Sequence, residues 1–258
     1  MSAKTIDVVV LIFLVLLGSL YTFLTRDLFI GKGLISAVVL AIPGVIYLGL
    51  RGKKHWKKII ISTLIFGALF GFIFEFIQEF NNSYHVVSSV FPKILGVVPL
   101  DNILGHIIMA FGTLVFYEHF VDRRKSSGIS RHIYFVLLPT LFIIPLVLIV
   151  FFVNPELLKI PYPYLYAGVA AIIPTFILGF SRPAFVKDMA VTAIFFFFLY
   201  FIYEIFAVKY SWWIYPGNNY IGQVSIIGIT YPFEELFFWM MFYAASLVSY
   251  YELFVDEA

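Results

Sequence analysis

Six carboxylates stand out because of where they fall in the chain: Glu75, Glu79, Asp101, Glu204, Glu234 and Glu235. Each lies in or at the edge of a long apolar run. A charge there costs about 2.5–3.5 kcal/mol on insertion scales, so an intramembrane acid normally faces protein or water and has a task. Glu75 and Glu79 are four residues apart and share a helix face, and so do Asn102 and His106. Several carboxylic acids in one apolar cleft do not all ionise together, which leaves a proton donor beside a carboxylate acceptor. That pairing suits protonation of an unactivated substrate and removal of a proton elsewhere on it. The segment before the last two acids adds Tyr210, Trp212, Trp213, Tyr215 and Tyr220, with Tyr231 and Trp239 nearby. Aromatic faces attract cations, so such a lining stabilises a carbocation.

These residues also have plainer uses. An acid just after a helix-opening proline complements the helix dipole and caps free amides, which fits Asp101 and Glu234. Glu235 is harder to account for in this way, since Leu236-Phe237-Phe238-Trp239 follows it directly. Glu79 and Asp101 equally suit a solvated position at the membrane surface. His106 alone suits a hydrogen-bonded core residue, and the Trp and Tyr set suits an interfacial belt. Metal chemistry has little support: membrane di-iron enzymes need many histidines at short spacing, and only His106 of the five lies in an apolar run. An Asp-rich diphosphate motif is also missing, which argues against prenyl transfer.

The elements that must hold these residues follow from composition. Of 258 residues, 62% are hydrophobic, 20% aromatic and only 12% charged, with mean hydropathy +0.99. A soluble domain carries about 25% charged residues. One spanning helix takes about 20 apolar residues, so this chain fills about eight of them and leaves no room for a separate soluble catalytic domain. The expected spans are 7–24, 34–50, 58–80, 101–120, 133–153, 163–180, 187–207 and 232–250. No cleavage site follows the first span before Arg26, so it reads as a helix and not as a signal peptide. A net charge of +2 indicates neither nucleic acid nor an acidic partner, and the absence of cysteine excludes disulfides and thiolate metal sites.

Twelve Lys and Arg fall on the side of the termini, among them Lys53, Arg123, Arg124 and Lys125, against five on the other side. The positive-inside rule therefore puts both termini in the cytoplasm of a multi-pass cell-membrane protein. The two halves also repeat. Pro43 and Arg51 are echoed by Pro174 and Arg182, and Phe72-Ile73-Phe74-Glu75 by Phe201-Ile202-Tyr203-Glu204. Pro99-Leu100-Asp101-Asn102 parallels Pro232-Phe233-Glu234-Glu235, and Tyr117-Glu118 returns as Tyr251-Glu252, all at offsets of 129–134. The expected architecture is an all-α membrane protein of two parallel four-helix repeats, 1–126 and 127–258, with a shared site at their interface.

The run from Glu204 through Trp212-Trp213-Ile214-Tyr215 to Tyr231-Pro232-Phe233-Glu234-Glu235-Leu236-Phe237-Phe238 resembles the lycopene cyclase domain, an integral-membrane carotenoid cyclase family. The shared features are an acid at a helix end, a W-x-Y segment and a P-x-E-E-x-x-F helix start, in that order. Departures occur in the first half: Asn102 replaces the second acid, and Tyr84 is the nearest substitute for W-x-Y. Glu204 also stands where the family favours Asp. The resemblance implies closure of the acyclic ends of lycopene, or a related carotenoid, into β-ionone rings by proton transfer without net redox change. It implies Glu235 or Glu234 as acid, Glu204 and Glu75 as candidate base, and Asp101 and Asn102 as positioning groups. No cofactor is called for. The only G-x-G, Gly31-Lys32-Gly33, lacks the strand and third glycine of a dinucleotide fingerprint, which excludes a soluble-type flavin cyclase.

Other readings use the same acids. A carotenoid hydratase would quench the protonated intermediate with water, and a proton-coupled transporter would use the acids without chemistry. An abortive-infection-type intramembrane protease needs Arg where this chain has Trp239. The oligomeric state is left open by the sequence.

Overall fold

The computed structural model describes residues 3–27, 31–52, 54–122 and 128–256. Lys53, Arg123, Arg124, Lys125 and the boundary between 126 and 127 lie outside the described residues. The chain is an all-α membrane protein. Seven helices among the described residues are long and apolar enough to cross a membrane. They are α1 (Ala3–Thr25), α2 (Lys32–Leu50), α3 (Trp56–Phe80), α4 (Leu100–Phe120), α5 (Ile133–Val153), α6 (Pro163–Ser181) and α7 (Phe185–Lys209). An eighth, α8, is a pair of helices, Glu235–Met241 and Tyr243–Val255, bent by 52° at their junction.

Lipid replaces water around most of these helices, so they expose apolar side chains instead of burying them. α5 buries only Ile133, Val136 and Thr140, and α1 turns Phe13, Leu16 and Leu20 outward. Pro43, Pro139, Pro145 and Pro174 sit inside helices that continue through them. The expected start of the last span at 232 falls one residue before its first helical residue. Ile229–Pro232 pairs with Gln223–Ile226 as a hairpin, with Pro232 opposite Gln223, so the helix follows directly after the strand, and its π-helical turns begin at Glu235.

Glycines set two close approaches that matter for the site. Gly67 and Gly71 on α3 let its backbone pass α4, because a Cβ on either would stand 3.1 Å from Ile107, Ala110 or His106. Gly168 on α6 receives the ring of Phe238 on α8, where a Cβ would stand 2.3 Å from the ring. α3 and α8 also contain π-helical turns, Thr63–Leu69 and Glu235–Met241, an irregularity frequent near functional sites.

The two halves of the chain meet reciprocally at both ends. At the end holding the termini, Tyr117 donates to Glu252 at 2.6 Å, and Tyr251 donates to Glu118. Lys58 pairs with Asp256 there, and Asp7 accepts from Tyr47 and Arg51 and meets His119. At the other end β1 (His85–Val86) pairs antiparallel with β2 (Trp213–Ile214), His85 opposite Ile214. These polar ties surround one continuous apolar core that includes Leu114, Val248 and Leu199.

Candidate functional site

A cavity of about 140 Å³ lies between α3, α4, α6, α7 and α8, toward the end marked by β1 and β2. Three carboxylates face it: Glu75 from α3, Glu204 from α7 and Glu235 from the first turn of α8. All three are buried.

Each acid is held by a different set of partners. Glu75 accepts from Tyr84 Oη at 2.5 Å and from Asn102 Nδ2 at 3.1 Å, and its Oε1 lies 2.8 Å from His106 Nε2. Asn102 and His106 reach it together because they lie one turn apart on α4. Glu204 Oε1 accepts from Trp213 Nε1 at 2.9 Å and Tyr215 Oη at 2.6 Å, both from the segment just after α7. Glu235 meets Tyr164 Oη at 2.5 Å. That contact follows from packing: Phe238 seats on Gly168, and one turn back on each helix Glu235 faces Tyr164. Burial first, and then the neighbouring carboxylate, hold the phenols of Tyr84 and Tyr215 well above their usual range. Both therefore remain hydrogen-bond donors.

Eight of the expected site residues line this cavity: Glu75, Asn102, His106, Glu204, Trp213, Tyr215, Glu235 and Trp239. Four others do not. Asp101 Oδ2 accepts from the Val90 amide at 2.6 Å, and Glu234 Oε1 accepts from the Ile221 amide at 2.7 Å, so each pins the loop that precedes its helix. The reason is helical geometry. Successive residues point about 100° apart, so of each adjacent pair only Asn102 and Glu235 turn to the cavity. Trp212 and Tyr231 are buried but pack beside the cavity instead of lining it. Glu79 anchors β1, accepting from the Val86 amide at 2.9 Å and pairing with Lys93 at 2.9 Å.

Sequence reasoning missed Tyr164, Gln78 and Tyr243, which also line the cavity. Tyr164 follows a helix-opening proline, as the acids do, and Gln78 is a polar residue between Glu75 and Glu79 in an apolar helix. Tyr243 lies one turn beyond Trp239 and carried no distinguishing signal. No group of three or more His, Asp or Glu side chains among the described residues is placed to hold a metal ion.

Chemically, the arrangement offers buried proton-bearing groups beside aromatic faces. Trp239 stands 4.6 Å from Phe74, edge to face, and 5.8 Å from Tyr243. Among the described residues no Lys or Arg lines the cavity, and His106 is the one basic side chain there, against Glu75. The chain matches no family model, no curated protein and no solved structure with which it was compared.

Proposed function

We propose that the chain is a membrane carotenoid cyclase that forms β-ionone rings on lycopene or a related acyclic carotenoid, with both termini in the cytoplasm. The observation that carries this reading is the meeting of Glu75, Glu204 and Glu235 in one aromatic-walled cavity. Its size, about 140 Å³, is close to that of a cavity of ~150 Å³ that holds a benzene ring. An end group enters this space, and the rest of a C40 chain extends between helices into a bilayer of comparable thickness, about 30 Å.

Each of the three acids accepts from a phenol. Asn102 Nδ2 can only donate, so Glu75 is fixed as an acceptor toward it. A phenol both donates and accepts, so Glu235 keeps Tyr164 as a partner whether or not it carries a proton. In the proposed reaction Glu235 is the acid that protonates the terminal double bond. The resulting tertiary cation is attacked by the internal alkene, which closes the ring and moves the charge to the ring carbon. Glu204 or Glu75 then takes a proton from the adjacent carbon, and the ring double bond forms. Atoms and electrons balance without an oxidant. The aromatic walls stabilise the cation and keep water away while the ring closes.

Pigment extracted from lycopene-producing bacteria that express the chain tests the reading. Monocyclic or bicyclic carotenes of unchanged mass are expected. Unaltered lycopene in cells whose membranes contain the folded protein overturns it.

A further inference from the structure

Beyond the acids, the cavity wall carries polar groups that the proton chemistry does not use. Gln78 is only 3% exposed, lines the cavity, and has no partner among the described residues for either its amide oxygen or its amide nitrogen. Trp239 Nε1 and the Tyr243 hydroxyl, from two further cavity-lining residues, are buried and have no partner among the described residues. The rings of Trp239 and Tyr243 are 5.8 Å apart, and Gln78 lies one turn along α3 from Phe74, which packs edge-on against Trp239 at 4.6 Å. In contrast, Glu75, Glu204 and Glu235 all have partners. A pure hydrocarbon offers nothing to these unpaired groups, and each buried polar group left unmet is costly.

We propose that the cavity selects an isoprenoid whose end group carries a hydroxyl, which Gln78, Trp239 and Tyr243 together recognise. This rests on the reading of the cavity as an isoprenoid end-group site and narrows its substrate from hydrocarbon to alcohol. A hydroxyl matches the set because it accepts from the indole N–H and the amide N–H and donates to the amide carbonyl.

The test uses the full chain carrying Glu235→Gln, in which turnover is blocked, reconstituted in liposomes. The probes are lycopene and lycopene hydroxylated on one terminal methyl group, which keeps the terminal double bond. Quenching of tryptophan fluorescence reports affinity. The alcohol is expected to bind roughly tenfold more tightly, and the added Gln78→Leu substitution should remove that preference while lycopene still binds. Equal binding of both probes, or a preference that survives Gln78→Leu, overturns this inference and leaves the cyclase reading standing. Binding of neither probe overturns both.

Discussion

Tyr117 donates a 2.6 Å hydrogen bond to Glu252, although 135 residues separate them. The same bond is returned from the other half, from Tyr251 to Glu118, and the residues in the two bonds occupy matching places in the repeated sequence. Together with the β1–β2 pair at the far end, it ties the two parts of the chain to each other. Segments 1–126 and 127–258 expressed as separate chains in one cell are therefore expected to co-purify. Tyr117→Phe and Tyr251→Phe should each weaken that association, because a carboxylate loses a buried donor. Independent migration of the two segments contradicts the arrangement.

The acids divide into two sets with different expected losses. Glu235→Gln should lower product formation by more than about 10²-fold while expression and folding persist, since Gln keeps shape and hydrogen bonding but delivers no proton. Glu234→Gln and Asp101→Asn should act instead on stability, by about 1–3 kcal/mol, because each holds a loop amide. Turnover per folded molecule, beside thermal unfolding in detergent, separates the two. A Glu234→Gln variant that is stable and inactive contradicts the division.

Gly105 lines the cavity, and nothing stands within 4 Å of where its Cβ would be. Gly105→Phe should therefore place a ring in the substrate space without disturbing its own helix. Loss of carotenoid binding with an unchanged unfolding temperature is expected. Retained binding would put the substrate elsewhere.

Stability should fall on the alkaline side. Burial, followed by the neighbouring carboxylate, holds the Tyr84 and Tyr215 phenols well above their usual range, and burial pushes the Tyr231 phenol up to about 12. In the unfolded chain these phenols ionise near pH ~10. Raised folded values mean that the folded state keeps protons that the unfolded state releases, so stability holds up to about pH 9 and declines as pH rises from about 10 toward 12. Thermal unfolding across that range checks this. Tyr231→Phe should make the decline shallower, and an unchanged slope would contradict the cause.

Much of this was legible in the sequence, for physical reasons that also explain the misses. Apolar run length fixes membrane helices strongly, so seven spans fell within a few residues of their expected bounds. The hairpin before α8 and the 52° bend within it were not legible, because the strand ending at Pro232 is decided by its pairing with Gln223 and the bend by tertiary packing. Glu75, Glu204 and Glu235 were visible because charge in an apolar run is rare. Which of Glu234 and Glu235 turns inward was not, since adjacent residues differ only by helix rotation. Tyr164 escaped because it meets Glu235 only through the seating of Phe238 on Gly168, a tertiary contact.

The central claim is proton transfer by buried acids to an isoprenoid end. The most direct measurement is the mass of the product formed from lycopene by the purified, reconstituted protein in D₂O without added nucleotide. The account predicts a cyclic product carrying one deuterium per ring formed, and none from Glu235→Gln. A product heavier by one molecule of heavy water would make the protein a hydratase, and cyclic product without deuterium would contradict protonation by these acids.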